Sequence, residues 1–270
     1  MLNNSLVDIG VNLTHNQFRE DRSEVIARAS QAGVTAMVLT GVSLSESEAA
    51  ARLAADYPHV MRTTAGVHPH YAKEWDGESE KALLALLKNP LVSAVGETGL
   101  DYFRDFSPRP AQQAAFNAQL ELAGREQMPV FLHQRDAEED FLAIIREHRD
   151  RLPGAVLHCF TGDKALLHAC LDLDLHIGVT GWVCDERRGR ALRECIADIP
   201  AERLMIETDA PFLLPRDLPE KPTNRRNEPA FLPHVLDAVA TLRDTSAEAL
   251  ARMTTQNAND FFGFSEIYSA

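Results

Sequence analysis

The 270-residue sequence has no run near the ~18 uninterrupted apolar residues that a membrane helix needs, so no membrane span or membrane contact is expected. Its opening, MLNNSLVDIG, lacks a basic segment followed by an apolar core. A secretory signal is therefore not expected, and the cytoplasm is the expected compartment. Cysteine is sparse: Cys159, Cys170, Cys184 and Cys195 form no CxxC pair, and a chain of this size does not depend on disulfides. They read as reduced thiols. Positive charge is also short, with 27 Lys and Arg against 40 Asp and Glu, a net −13 with histidine neutral. That balance argues against a long footprint on duplex nucleic acid, but not against a short strand entering a metal-lined cleft. No low-complexity tract or linker divides the chain, so one domain over residues 1–270 is expected.

What is present is an alternation. Short apolar runs rich in β-branched residues recur at Leu6 to Leu13, Ala36 to Val42, Met61 to Val67, Val92 to Thr98, Pro129 to His133, Ala155 to Phe160, His176 to Gly181 and Leu204 to Thr208. Between them lie amphipathic segments such as EDRSEVIARAS, SESEAAARLAADY, ESEKALLALLK, AQQAAFNAQLELAG and AEEDFLAIIREHRD. Ser45 and Glu48 have the spacing of a capping box before the second helix. Strands alternating with helices imply βαβ units and a parallel sheet. Eight such units predict an α/β fold, a (β/α)8 TIM barrel, rather than a doubly wound sheet. The proline-rich stretch from Ala210 to Pro229 reads as a long functional loop over the barrel mouth.

Barrel chemistry sits where strands end. There the sequence places His68 and His70 (AGVHPH), Glu97 (GETGLDY), His133 (PVFLHQRDA), His158 (AVLHCFTG), and Glu207 with Asp209 (LMIETDAP). Any one such histidine is more often a satisfied polar residue than a ligand. Together, on separate strands, these nitrogen and oxygen donors suit a divalent ion that activates water. Glu207 and Asp209, two apart, are expected on one strand face, Asp209 as ligand and general base and Glu207 structural, pairing with an arginine. Two basic clusters follow the seventh and eighth strands: Arg187, Arg188 and Arg190, then Lys221, Arg225 and Arg226. Either they meet substrate phosphate or they balance acids such as Asp185, Glu186 and Glu228. Among the nearby aromatics Trp182 is singled out for base stacking, while Tyr102, Phe103 and Phe212 read as packing.

The stretches GVHPH, GETGLDY, PVFLHQRDA, VLHCFTG, VTGWVCDERRG, IETDAPFLLP, RRNEP and TTQNANDFFGF, in that order, resemble the TatD family of metal-dependent hydrolases over nearly the whole chain. The resemblance implies a barrel of the amidohydrolase kind. It also implies a magnesium-dependent DNase or exonuclease acting on single strands, DNA or RNA, in the 3′-to-5′ direction. DNA repair or degradation is the process such an enzyme would serve. Carried over by position, Glu97, His133 and His158 match the metal ligands, and Asp209 matches the aspartate that binds metal and handles the nucleophilic water. His68 matches a histidine near the substrate phosphate. Catalytic roles are therefore expected for Asp209 and His68, and substrate contacts for His70, Trp182, Arg188, Arg225 and Arg226.

One departure concerns the first strand, where family members often carry His-x-His after an aspartate. Here the sequence reads VDIGVNLTH, with Gly10 and Asn12 at those positions. Glycine cannot ligate and asparagine offers a neutral amide, so one firm metal site is expected, with a second, weaker one completed by phosphate oxygens. Magnesium, which keeps waters and binds through carboxylates plus substrate phosphate, is the expected ion. Manganese is expected to substitute, and zinc to appear in purified protein because imidazole favours it. Two other readings share these residues: a hydrolase of a small ester or amide, or of an ester on tRNA, and a non-enzymatic binding scaffold. No strand-end lysine is available for carboxylation, which weighs against the first. Four surviving ligand positions weigh against the second. A closed barrel leaves no strand edge open, so a monomer is expected.

Overall fold

Each apolar run becomes a strand, though with different limits. The computed structural model describes residues 5–264 and contains β1 (Leu6–Val11), β2 (Val34–Leu39), β3 (Met61–Ala65), β4 (Val92–Asp101), β5 (Val130–Arg135), β6 (Ala155–Leu157), β7 (His176–Val179) and β8 (Leu204–Ile206). They form one eight-stranded sheet in sequence order. The first strand also meets the last: Val11 bridges Ala210, and the Asp209 amide donates to the Gly10 carbonyl at 2.9 Å. This is the (β/α)8 barrel that the alternation predicts. Strands of such a sheet are covered on both faces, and accordingly every residue of β1 and of β3 is buried. Among the described residues, no helix is long and apolar enough to cross a membrane.

The helices are α1 (Arg22–Gln31), α2 (Leu44–Asp56), α3 (Gly77–Leu87), α4 (Arg109–Glu126), α5 (Glu138–His148), α6 (Lys164–Asp172), α7 (Arg190–Cys195), α8 (Leu232–Leu242) and α9 (Ala247–Phe262). The capping box expected at Ser45 and Glu48 is not the one used. The N-cap of α2 is Ser43, whose hydroxyl accepts from the Glu46 amide at 3.2 Å, and Ser45 already lies in the first turn. Two serines in register competed for one role, and the extended backbone at Ser43 decided it. The chain divides into two compact units. One holds β1, β2, β7 and β8, with α9 packed on β1 and β8 and against α8. The other holds β3 to β6, with α2 on β3 and α4 on β4.

Within the second unit, β4 and β5 approach closely because of two glycines. Gly96 and Gly99 sit at φ 147° and 148°, where a side chain is strained, and a Cβ at either would strike the carbonyl of Phe131 or of His133. Gly99 pairs with His133 across the ladder. Glu97 is thereby held beside the strand that carries His133.

In the first unit an ion network ties α1 to the segment before the 3-10 turn Pro229–Phe231. Arg226 Nη2 lies 2.6 Å from Asp21 Oδ2 and 2.7 Å from Glu228 Oε1, and Arg28 Nε lies 2.8 Å from Glu228 Oε2. Hydrogen bonding from Arg226 holds the Asp21 carboxyl at about 2. Burial works to raise Glu228, but Arg28 and Arg226 outweigh it and lower its pKa. Both carboxyls therefore contribute stability that is complete above their unfolded values near ~4 and fades as pH falls towards the folded value. Replacing Arg226 by Met should destabilise by about 3 kcal/mol at neutral pH, because Glu228 is left buried with one partner fewer. Urea unfolding at pH 7 and at pH 2.5 checks this, the gap between the two proteins narrowing at the lower pH.

Candidate active site

Glu97 in β4 is the point on which four strands converge. His68 follows β3, His133 lies in β5 and His158 follows β6. His133 Nδ1 and His158 Nε2 each stand 2.8 Å from Glu97 Oε1, and His68 Nε2 stands 3.3 Å from the same oxygen. His68 is oriented by its own cap: its Nδ1 accepts the His70 amide at 3.1 Å, which turns Nε2 inwards. His158 is packed against Phe131, with ring centroids 4.7 Å apart. Burial would raise the Glu97 carboxyl, but the surrounding imidazoles, through charge and hydrogen bonds, hold it well below the usual range. Burial drives His68 the other way, down to about 4, so its ring is neutral at neutral pH.

This donor set fits a divalent cation. Donor atoms of His68, Glu97 and His133 all lie within 4.8 Å of one another. Three ring nitrogens around one carboxylate oxygen exceed what its in-plane lone pairs serve well; His68, whose Nδ1 accepts, turns an Nε2 hydrogen to it, whereas His133 and His158 would each give a cation a lone pair. His133 Nε2 is buried and has no hydrogen-bond partner; the nearest carboxylate oxygen, Asp101 Oδ2, is 3.6 Å away. Asp101, which sequence reasoning did not single out, closes the layer behind the histidines. Its Oδ2 is 2.8 Å from His70 Nε2, and its Oδ1 accepts the amides of Phe103 and Arg104 at 3.1 and 2.8 Å. Burial opposes ionisation, but these bonds and His133 hold the Asp101 carboxyl far below its ordinary range. Spacing could have found it: Asp101 is four residues beyond Glu97 on one strand, hence on the same face.

Beyond β8 the expected geometry changes. The strand stops at Ile206, so Glu207 and Asp209 do not share a strand face, and Asp209 has φ 55°. Glu207 is fully buried and accepts the Cys159 amide. Asp209 Oδ1 takes Asn12 Nδ2 at 3.1 Å, so the amide at the first-strand position orients this carboxylate. Asp8, buried and pushed up to about 7 mainly by burial, accepts the Thr208 amide at 3.0 Å and so pins the residue before Asp209.

The profile of the TatD related DNase family matches residues 7–263. The chain belongs to that family. It is 54% identical over 257 residues to a Salmonella typhimurium protein named 3'-5' ssDNA/RNA exonuclease TatD, covering 95% of this chain and 98% of the relative. A protein of the same name from Citrobacter rodentium is 55% identical over 258 residues, covering 96% and 98%. Among solved structures, a TatD homologue from Escherichia coli k12 superposes with a TM-score of 0.88 at 28% identity, over 96% of this chain and 98% of that one.

Other expected contacts of this TatD-family protein divide sharply. Arg226 is buried and committed to Asp21, Glu228 and the Gln17 carbonyl. Arg188 Nε is 2.6 Å from Asp185 Oδ2, and its guanidinium lies 4.5 Å over Trp182, whose Nε1 donates to the Arg188 carbonyl at 3.1 Å. For Arg226 the charge-balancing alternative describes what the structure shows, whereas Arg188 pairs with Asp185 and stays half exposed. Arg225 stands in the left-handed region at φ 52°. Burial pushes the Cys170 and Cys184 thiols up to about 12 and Cys195 to about 11, so these three offer no nucleophile at neutral pH. Because Asp101 braces the histidines from behind, Asp101→Asn should weaken divalent-ion affinity by about 10- to 100-fold while leaving the melting temperature of metal-free protein near wild type. Calorimetric titration with manganese checks this, and unchanged affinity would leave Asp101 a purely structural residue.

Proposed function

We propose that this protein is a metal-dependent nuclease that hydrolyses phosphodiester bonds of single-stranded DNA or RNA from the 3′ end. The observation that carries the reading is the convergence of His68, His133 and His158 on Glu97, in a chain 54% identical to a relative named for that activity. Glu97, His133 and His158 are the residues that would hold the ion, and Asp209 is assigned to it from its position after the eighth strand in the sequence. When bound, it supplies positive charge that acidifies water and neutralises charge developing on phosphate oxygens. Magnesium is the proposed working ion, supported by two carboxylates among the ligands and by phosphate oxygens that the substrate brings. Manganese would substitute, and the imidazoles also suit zinc.

Asp209 is assigned as general base. Its carboxylate takes a proton from the water whose oxygen attacks phosphorus, and the Asn12 amide on Oδ1 fixes its orientation. His68, neutral at neutral pH, serves a non-bridging oxygen as a hydrogen-bond donor rather than as a cation. His70, held by Asp101, is assigned to give the proton to the departing oxygen. Arg188, Arg225 and Trp182 are retained as substrate contacts on the strength of their loops after β7 and β8. Arg226 is not, since its guanidinium is already spent. The same reading takes the enzyme to be a cytoplasmic monomer, because a closed barrel presents no free strand edge.

Protein stripped with chelator and returned separately to magnesium, manganese or zinc tests this on a 5′-labelled single strand and on a closed circular strand. A shrinking ladder with magnesium, the circle intact, is the expected result. Cutting of the circle would make the enzyme an endonuclease. Cleavage of a small carboxylic ester but of no strand, with every ion, would overturn the nuclease reading. Asp209→Asn should lower kcat by at least about a hundredfold with the melting temperature retained.

A further inference from the structure

The loop from Tyr102 to Phe106 between β4 and α4 exposes two large aromatic rings while its backbone is tied at both ends. Phe103 is 53% and Phe106 58% exposed, the two most exposed large hydrophobic residues described. At the near end, Asp101 accepts the amides of Phe103 and Arg104. At the far end, Ser107 donates to the His70 carbonyl at 2.9 Å and accepts the Lys73 amide at 3.1 Å. Buried Gln112 spans both ends, donating to the carbonyls of Asp101 and Ser107 and accepting the Asp101 amide. A rigid loop therefore presents apolar rings to water, and folding of this chain does not bury them.

The surroundings give these rings a chemistry. The guanidinium of Arg135 lies 4.6 Å from the Phe103 centroid and that of Arg104 lies 5.4 Å from it. Phe106 lies 4.7 Å from the ring of His70, the residue hydrogen-bonded to Asp101 behind the His133–Glu97 cluster. In a chain of net charge −13, cations beside exposed aromatics next to the candidate active site match an anionic ligand with flat faces. Single-stranded nucleic acid offers both, through stacked bases and phosphates. We propose that Phe103 and Phe106 form a stacking platform for bases of the single-stranded substrate, with Arg104 and Arg135 meeting its phosphates. This rests on the nuclease reading and deepens it. The sequence singles out Trp182 for stacking and reads Phe103 as packing; each ring carries a guanidinium, Arg188 on Trp182 and Arg135 on Phe103, and Phe103 stays half exposed.

The test uses Phe103→Ala, Phe106→Ala, the double variant and Phe106→Leu, which keeps the apolar bulk and removes the ring. Fluorescence anisotropy with a labelled phosphorothioate single strand, in chelator, reads binding without cleavage. Each alanine should weaken Kd by about tenfold, and leucine should not restore it. A strand with abasic sites at its 3′ end should bind wild type weakly and be insensitive to the substitutions. With the all-phosphodiester strand KM should rise with kcat little changed, while turnover of bis(p-nitrophenyl) phosphate, which has no bases, should stay at the wild-type value. Wild-type affinity in the double variant, or equal sensitivity with abasic and normal strands, would overturn the platform but leave the nuclease intact. A wild type that neither binds nor cuts the strand removes both. A wild-type dimer that Phe106→Ala dissociates, with strand affinity unchanged, would assign the patch to a second copy of the chain instead.

Discussion

Three imidazoles held against one buried carboxylate are the constraint around which much of the chain is arranged. Glu97 is ionised in a place that burial makes unfavourable for charge, and it stays so because His68, His133 and His158 face it from neighbouring strands. The cost of that arrangement is visible in the backbone. β4 must carry glycine on both sides of Glu97 so that β5 can come close enough to deliver His133. Gly96 and Gly99 thus belong to the site as much as the ligands do, although neither bears a reactive atom.

Behind the cluster, Asp101 links the histidines to the exposed aromatic loop. One of its oxygens holds His70 and the other holds the loop amides of Phe103 and Arg104. A single carboxylate therefore sets both the positions of the histidines and the start of the exposed aromatic loop. At the end of β8 a similar economy operates. Asp8 pins Thr208, and Asn12 turns the carboxylate of Asp209.

Much of the fold was legible because its signals are local. Strand and helix periods differ, so eight alternations announce a barrel without any knowledge of contacts. The candidate ligands were legible for a related reason: in a parallel barrel a residue just past an apolar run stands at the functional edge, and Glu97, His133 and His158 all do. The limits of the runs were less legible. Burial continues past the last ladder bond of β8, where Glu207 and Thr208 are fully buried, so a strand read from the sequence runs on beyond Ile206.

By itself, then, the sequence determined the element types, their order, and the set of polar groups that strand ends present. Only the tertiary structure decided which of those groups are spent and which are available. Arg226 meets Asp21 across 205 positions of chain, and Arg28 meets Glu228 across 200. No spacing rule reaches so far, so a basic loop cluster looked equally suited to phosphate. Trp182 and Phe103 show the same limit in reverse. A ring's use depends on what surrounds it, and both the guanidinium over Trp182 and the exposure of Phe103 beside Arg135 are facts of packing.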